Sequence, residues 1–293
     1  MKILVVGGSG FLGNEIVKQL LAEGNEVKSM SRSRDSNRIK SHFVADIARP
    51  DTYLSVLEDW QPQVVVQCAW VTSQKVYRES LENQDYRTQT LQFAADCFKI
   101  GVNHFLGLGS SAEYGVSSLP CNAAVTTPQP VDPYGRNKYE TFLKLQDLSG
   151  AANARLTWGR VFQPYGLGQD SERLIPWATE KLLLGQEVKL QNPEMTLDWI
   201  SSRDIASAIS WSINRMTPQA IDIGTSLGTS VRQVLEEVAL TIGTDPDLIV
   251  STVNTQLQKT DSKLVVSVDS PLLKDGWKPK DTLQTGLPWA LRK

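Results

Sequence analysis

Tyr134 and Lys138 are four residues apart in the segment Pro133-Tyr-Gly-Arg-Asn-Lys138, and this spacing suits proton chemistry. On an α-helix, residues four apart share one face, with their side chains about 5–6 Å apart at the base. A free phenol keeps its proton up to a pKa of about 10, and a neighbouring ammonium favours the phenolate. The pair therefore predicts a tyrosine whose pKa is lowered by a lysine and which exchanges a proton with a bound molecule.

The first thirteen residues predict a phosphate-binding turn. Ile3 to Val6 is a short apolar run typical of a buried parallel strand, glycines follow at positions 7, 10 and 13, and an amphipathic helix then ends at Gly24. Such a turn brings unpaired backbone N–H groups and the positive end of a helix to one point, and glycine lets a pyrophosphate approach closely. We expect a dinucleotide here, contacted by Gly7, Ser9, Gly10, Phe11, Leu12 and Gly13.

Taken together, Gly7-x-x-Gly10-x-x-Gly13 and Tyr134-x-x-x-Lys138 resemble the extended short-chain dehydrogenase/reductases. This family includes UDP-galactose 4-epimerase and the nucleotide-sugar ketoreductases, and the resemblance covers nearly the whole chain. It implies an α/β fold, a doubly wound parallel (Rossmann) sheet with a smaller C-terminal α/β substrate lobe. It also implies cofactor contacts from Asp46 and Ile47 at the adenine, from Cys68, Ala69 and Trp70 at a strand end, and from Phe162.

The resemblance assigns the catalytic residues as well. Ser110-Ser-Ala-Glu-Tyr114-Gly matches the family pattern Ser/Thr-x-x-x-Tyr-Gly, which implies that Ser110 acts with Tyr134 and Lys138. The implied reaction is reduction of a sugar ketone: NADPH supplies a hydride, Tyr134 donates a proton to the carbonyl oxygen, and Ser110 stabilises that oxygen. Lys138 would also hold the nicotinamide ribose. We expect Ser111, Gln163, Arg173 and Leu174 to contact the substrate.

Two related reactions are weighed against this one. Family dehydratases resemble Thr-Asp-Glu-x-Tyr-Gly at this strand end, whereas here the acidic positions are Ser111 and Ala112, which cannot abstract a proton. Glu113 is displaced by one residue and is expected to face the other way. A 4-epimerase with tightly bound NAD uses the same three catalytic residues and stays an alternative. A non-catalytic dinucleotide sensor is a third interpretation, disfavoured by the intact residue set.

The sequence also bears on which dinucleotide binds. A carboxylate after the second strand of such a fold binds the ribose 2′-OH and repels a 2′-phosphate. Here that position is Ser31, followed by Arg32 and, further along, by Arg34, Arg38 and Lys40. Because guanidinium groups bind phosphate at two points, we expect NADP(H) to be preferred, with NAD(H) as the alternative. The other interpretation is a basic surface loop.

Two departures from the family pattern concern the substrate. Leu197 stands where the family commonly has an arginine that binds the substrate diphosphate, and Arg173 and Arg203 are candidate replacements. Asp85 falls about where a helix asparagine is usual. We expect a nucleotide sugar, while a non-nucleotide ketone or aldehyde would tolerate Leu197 better.

Composition narrows the remaining classes. The 293 residues carry a net charge of −2 with interspersed signs, which argues against a nucleic-acid or membrane-surface binder. With three scattered cysteines and two histidines, His42 and His104, we expect no disulfide framework, no metal site and no Ser-His-Asp hydrolase. We expect a cytoplasmic homodimer without a membrane span. The predicted division is a dinucleotide-binding domain at 1–165, joined by a strand near 218–225, and an interleaved substrate lobe at 166–293.

Alternating strand and helix signals run from Met1 to about Val161, as a doubly wound sheet requires. Among the predicted elements are strands at Lys2–Val6 and Val64–Gln67 and helices at Pro50–Glu58, Pro176–Leu184 and Val231–Ile242.

Overall fold

The computed structural model of the protein describes residues 1–33, 41–71, 77–252 and 263–292. Arg34, Arg38 and Lys40, which follow Arg32 in the basic run after the second strand, lie outside these described residues.

Strands and helices alternate through the first half of the chain, as the sequence predicts. The strands are β1 (Lys2–Val6), β2 (Glu26–Ser31), β3 (His42–Val44), β4 (Val64–Gln67), β5 (His104–Ser110), β6 (Arg155–Val161), β7 (Gln163–Tyr165), β8 (Val188–Leu190), β9 (Thr196–Ser201), β10 (Ala220–Ile223), β11 (Gly228–Ser230), β12 (Ile249–Ser251) and β13 (Lys263–Leu264). The helices are α1 (Phe11–Ala22), α2 (Leu54–Trp60), α3 (Glu82–Ile100), α4 (Pro133–Ala151), α5 (Leu174–Leu183), α6 (Ser202–Asn214), α7 (Val231–Ile242), α8 (Pro271–Lys274) and α9 (Leu283–Ala290). Short 3₁₀ helices lie at Pro50–Thr52, Ser111–Tyr114 and Pro246–Leu248.

A parallel sheet of seven strands forms the main body, in the order β10-β6-β5-β4-β1-β2-β3. The chain winds outward from β1 to β2 and β3, then returns to the other side of β1 through β4, β5 and β6. This is a doubly wound sheet, and the reversal of strand order leaves a crevice at the carboxyl ends of β1 and β4. The predicted fold class is therefore confirmed, and strand β10 adds to the edge of the sheet beside β6.

Both faces of this sheet are buried, which is why its strands are continuously apolar. In β1, Ile3 and Val5 join the core cluster that includes α1 and α6, whereas Leu4 and Val6 join the cluster beneath α2, α3 and α4. Alternate side chains of a strand point to opposite faces, so one four-residue run supplies both layers.

The rest of the chain forms the smaller lobe around a third core cluster, to which α5, α7 and α9 contribute. Its central strand β9 pairs with β7 and β13 in parallel and with β11 in antiparallel orientation, and β8 pairs with β12. The division into two domains at about residue 165 stays a prediction.

Helix boundaries differ from the sequence expectations by a few residues. The helix expected at Pro176–Leu184 begins at Leu174, since Pro176 occupies an early helical position, where a missing N–H costs nothing. The segment expected as one helix over Pro50–Glu58 is a 3₁₀ turn followed by α2. Helix α4 begins at Pro133, where the Asp132 carboxylate accepts a hydrogen bond from Gly135 N at 2.7 Å.

Candidate active site

A cavity of about 450 Å³ lies at the crevice where the strand order reverses. Every residue predicted to bind the cofactor lines it: Gly7, Ser9, Gly10, Phe11, Leu12, Gly13, Ser31, Arg32, Asp46, Ile47, Cys68, Ala69, Trp70 and Phe162. Ser110, Tyr134 and Lys138 line it too, with Ser111, Gln163 and Arg173. The fold thus brings segments from the whole first half of the chain to one cavity.

The glycine turn is shaped for close approach of a phosphate. A Cβ on Gly13 would lie 2.2 Å from the carbonyl oxygen of Gly7, and one on Gly7 would lie 2.9 Å from Ala69 N. Gly7 also has a φ of +76°, a conformation that favours glycine. Because Gly10 caps α1 without a side-chain hydrogen bond, the N–H groups at the helix start stay available to a ligand. These residues fit the pyrophosphate of a dinucleotide.

Beside the glycine turn, hydroxyl and guanidinium groups lie at the end of β2. Ser9 Oγ donates to Ser31 Oγ at 3.0 Å, and Ser31 contacts the His42 ring at 3.2 Å. The Arg32 guanidinium lies 5.9 Å from the centre of the Tyr86 ring, and both residues line the cavity. Among the described residues that line the cavity, Asp46 provides a carboxylate, and β2 provides none.

The three predicted catalytic side chains come from β5 and α4. Ser110 ends β5, and its hydroxyl accepts from Ala112 N at 3.2 Å and lies near the Tyr134 hydroxyl. Lys138 is buried and donates from Nζ to the Leu108 carbonyl oxygen at 2.7 Å. Its ammonium lies 3.9 Å from the centre of the Trp70 indole. The expected triad is therefore assembled on one wall of the cavity.

The protonation states differ from the sequence expectation. Burial raises the pKa of Tyr134 above its usual value, the neighbouring Tyr77 adds to this, and the Ser110 hydrogen bond and the Arg173 charge oppose it. Burial lowers the pKa of Lys138 to about 7. The net direction for Tyr134 is therefore upward, opposite to the lowering expected from a neighbouring ammonium, because desolvation is the largest influence on this pKa. Tyr134 is held in its protonated form, which is the form that donates a proton.

Glu113 faces away from the cavity, as expected, although it lies in a 3₁₀ helix rather than on a strand end. Its Oε1 accepts from Ser110 N and Trp158 Nε1, both at 2.9 Å, and its Oε2 pairs with Arg160 Nε at 2.7 Å. Both charged side chains are buried. Both carboxylate oxygens are thus bound within the fold and away from the cavity, and Glu113 is no candidate for abstracting a substrate proton.

The residues predicted to contact the substrate separate into two groups. Ser111, Gln163 and Arg173 line the main cavity, and Arg173 lies over the Tyr77 ring at 4.7 Å. Leu174 does not line it and packs instead against the core of the smaller lobe, because it is the first residue of α5 and points inward. Arg203 is bound to Asp281 at 2.7 Å and is not a cavity residue, so it does not replace the missing arginine.

A second cavity of about 90 Å³ adjoins the first. Ser111 and Gln163 border both, and Leu197, Met195 and Leu264 make this side apolar. Its polar side is an ion pair between Arg78 Nη1 and Asp132 Oδ2 at 2.5 Å.

Several residues at the site were missed from the sequence. Tyr77, Arg78 and Tyr86 line the main cavity, and no spacing rule marks them, since they come from a connecting segment and an internal helix turn. Asp85, which stands about where the family usually has a helix asparagine, is exposed and does not line the cavity, whereas Asn83 on the same helix is fully buried. Of the two histidines set aside, His104 is buried and bonded to Thr157, and burial lowers its pKa to about 3.

Metal sites and membrane spans are both missing from the described residues. No group of three His, Cys, Asp or Glu side chains in this part of the chain is arranged to hold a metal ion. None of the helices in the described ranges has the length and apolar character to cross a membrane.

The fold and the cavity define a dinucleotide-binding α/β protein with a serine, a tyrosine and a lysine at the binding cavity. A family model described as the NAD dependent epimerase/dehydratase family matches residues 3–224. The chain belongs to this family, and is thus an enzyme of the extended short-chain dehydrogenase/reductase type that uses a nicotinamide dinucleotide.

Individual relatives are distant but cover most of the chain. The chain is 27% identical to a GDP-6-deoxy-D-talose 4-dehydrogenase of Aggregatibacter actinomycetemcomitans, over 80% of its own length and 78% of the relative's. It is 25% identical to a dTDP-L-rhamnose 4-epimerase of Burkholderia thailandensis, over 98% and 93%. Among solved structures, UDP-glucose 4-epimerase of Thermus thermophilus in complex with NAD has a TM-score of 0.86 at 24% identity, covering 99% of this chain and 97% of that one. The last comparison supports the fold alone.

Proposed function

We propose that this enzyme is an NADPH-dependent reductase of a 4-keto nucleotide sugar, with Ser110, Tyr134 and Lys138 as its catalytic residues. The observation that carries the proposal is the convergence of these three side chains on one cavity. The relatives support the substrate class, since both the 4-dehydrogenase and the 4-epimerase act on nucleotide-linked deoxysugars by name.

The residues of the chain have distinct tasks in this reaction. The cofactor, when bound, supplies a hydride to the carbonyl carbon. Tyr134 donates its phenolic proton to the carbonyl oxygen, so that an alcohol forms. The Ser110 hydroxyl, which lies near that of Tyr134, stabilises the negative charge that develops on that oxygen. Lys138 would hold the nicotinamide ribose through a hydrogen bond. The Arg173 guanidinium would bind the substrate diphosphate in place of the family arginine, whose position in this chain is Leu197.

The preference for NADPH rests on the end of β2. Ser31 offers no negative charge to repel a 2′-phosphate, and Arg32 offers a guanidinium at the same end of the cavity. We expect NADPH to bind more tightly than NADH, and Arg32→Ala to remove most of that difference. Fluorescence titration measures both affinities. Arg49→Ala is the matched control, because Arg49 pairs with Asp51 on the surface outside the cavity. Equal affinity for NADH in the wild type would contradict the NADPH assignment.

The reaction itself is tested with a panel of 4-keto nucleotide sugars, the matching free sugars and small aldehydes, following NADPH oxidation. Turnover of a nucleotide sugar is the expected result, and turnover of free ketones or aldehydes alone would overturn the substrate class.

The second candidate function is a nucleotide-sugar 4-epimerase, favoured by the likeness to the rhamnose 4-epimerase. An epimerase regenerates its cofactor within each turnover, so it needs none added. Purified protein that carries NAD and interconverts 4-epimers without added cofactor would establish this function in place of the reductase.

A further inference from the structure

Asn83, the second residue of α3, has a side chain that is completely buried, although asparagine is usually exposed. It does not cap its own helix. Instead, Asn83 Oδ1 accepts from the indole Nε1 of Trp70 at 2.8 Å, and Nδ2 donates to the carbonyl oxygens of Tyr77 at 2.6 Å and Ser80 at 2.9 Å. One amide thus ties together two segments that reach the cavity.

Both tied residues touch a catalytic side chain of the proposed reaction. The Trp70 indole lies under the Lys138 ammonium, 3.9 Å from the ring centre, and the face of an aromatic ring attracts a cation. The Tyr77 ring meets the Tyr134 ring edge-on, with the centres 5.0 Å apart and the planes at 81°. Asn83 is therefore linked to Lys138 through Trp70 and to Tyr134 through Tyr77, with one intervening residue in each case.

The indole N–H makes the arrangement specific. A buried N–H group without an acceptor carries a large desolvation cost, so Trp70 can keep its orientation only while Asn83 accepts from it. If the acceptor were lost, the indole would turn toward water or another acceptor and leave the Lys138 ammonium. A phenylalanine ring at this position has no N–H group, so losing the acceptor would leave no unpaired donor on the ring.

We propose that Asn83 is a positioning residue that fixes the Trp70 indole against Lys138 and the Tyr77 ring against Tyr134. The proposal rests on the proposed function for the roles of Tyr134 and Lys138, but its first consequence is structural and is measured without turnover.

The central test is Asn83→Leu, which keeps the approximate size of the side chain and removes its hydrogen bonds. In the wild type, the Trp70 indole N–H gives one NMR signal among those of the eight tryptophans, identified by its loss in Trp70→Phe. We expect this signal to shift and to exchange faster with solvent in Asn83→Leu. Affinity for the cofactor and kcat should each fall about 5- to 150-fold, the range for leaving a buried donor unpaired.

A second substitution separates positioning from mere stability. Adding Trp70→Phe to Asn83→Leu removes the unpaired N–H, so the double variant should recover part of the cofactor affinity and kcat that Asn83→Leu lost. Tyr53→Phe is the matched control, because it removes a 2.9 Å hydrogen bond to Asp96 on the same helix, outside the cavity. It should lower Tm without changing cofactor affinity or kcat.

The outcomes are decisive in each direction. If Asn83→Leu lowers Tm as the control does while the indole signal, the cofactor affinity and kcat stay unchanged, Asn83 is a structural residue only. A double variant no better than Asn83→Leu would also overturn the proposal, since the effect would not pass through Trp70. If Asn83→Leu does not fold, the shorter Asn83→Ser is measured in the same way. Should wild-type protein reduce no member of the panel, the proposed function fails, and the NMR signal and cofactor affinity still decide the role of Asn83.

Discussion

At the scale of single residues, burial in the cavity shifts the pKa values of Tyr134 and Lys138 in opposite directions. Tyr134 is kept as a phenol by burial and by Tyr77, so removing its hydroxyl should remove the proton donor and little else. We expect Tyr134→Phe to lower kcat by about 10²–10⁴, the usual contribution of a positioned general acid. Steady-state kinetics on the reducible substrate measures this, and cofactor titration should give an unchanged dissociation constant. Turnover near the wild-type rate would eliminate Tyr134 as the donor.

We expect Lys138 to make cofactor binding depend on pH. Burial lowers its pKa to about 7 in the free protein, so the ammonium is fully present only below pH 7. If the ammonium hydrogen-bonds the ribose, cofactor binding favours the protonated form, and affinity is highest below pH 7 and falls as pH rises through 7. NADH is the suitable probe, because it lacks a 2′-phosphate that titrates in the same range. We expect Lys138→Met to bind NADH more weakly and without this pH dependence, and a pH-independent affinity in the wild type would contradict the proposed contact.

At the scale of elements, the 3₁₀ helix Ser111–Tyr114 is anchored by the buried pair of Glu113 and Arg160. Neutralising one partner of a buried ion pair leaves the other charge uncompensated, which costs about 3–5 kcal/mol. We therefore expect Glu113→Gln to lower the free energy of unfolding by about that amount, measured by urea denaturation. Asp51→Asn, which breaks the exposed pair with Arg49, is the control and should cost at most about 1 kcal/mol. Equal, small losses in both variants would show that the buried pair is not what holds this turn.

The elements that carry a local sequence signal were predicted correctly. Strands β1 and β4 were found at their observed bounds because short apolar runs bounded by turns mark buried strands, and α7 because its apolar residues recur at helical spacing. The start of α5 was placed two residues late, since Pro176 suggested a first helical position that Leu174 occupies instead. Sequence spacing also predicted that the Tyr134 and Lys138 side chains share a helix face. It did not predict desolvation, which depends on Trp70, Tyr77 and other residues distant in sequence and which sets both pKa values.

At the scale of the whole molecule, buried carboxylates join distant segments in ways that no local pattern reveals. Asp222 on β10 accepts from Tyr114 Oη at 2.7 Å, from Ala123 N at 2.6 Å and from Ser270 Oγ at 3.2 Å. Asp198 on β9 accepts from Thr225 N, Ser226 N and Val266 N. These contacts bring the late part of the chain against the main sheet and against the loop beside Ser110. Local sequence patterns predict each strand separately and carry no information about these contacts between distant segments.

A buried histidine gives the whole fold a predictable sensitivity to acid. His104 on β5 is hydrogen-bonded to Thr157 on β6 at 3.0 Å, and burial, followed by the nearby Arg155 charge, lowers its pKa to about 3. In the unfolded chain its pKa returns to about 6.5, so between these values the unfolded state binds a proton that the folded state cannot. Stability from this group is therefore unaffected above pH 6.5 and falls as the pH drops below it, by about 2 kcal/mol at pH 5. His104→Gln keeps a polar group beside Thr157 but cannot take up that proton, while the buried carboxylates respond to acid in both proteins. Urea denaturation at pH 7 and pH 5 should show the variant losing about 2 kcal/mol less than the wild type, and equal losses would mean that His104 is protonated within the folded protein.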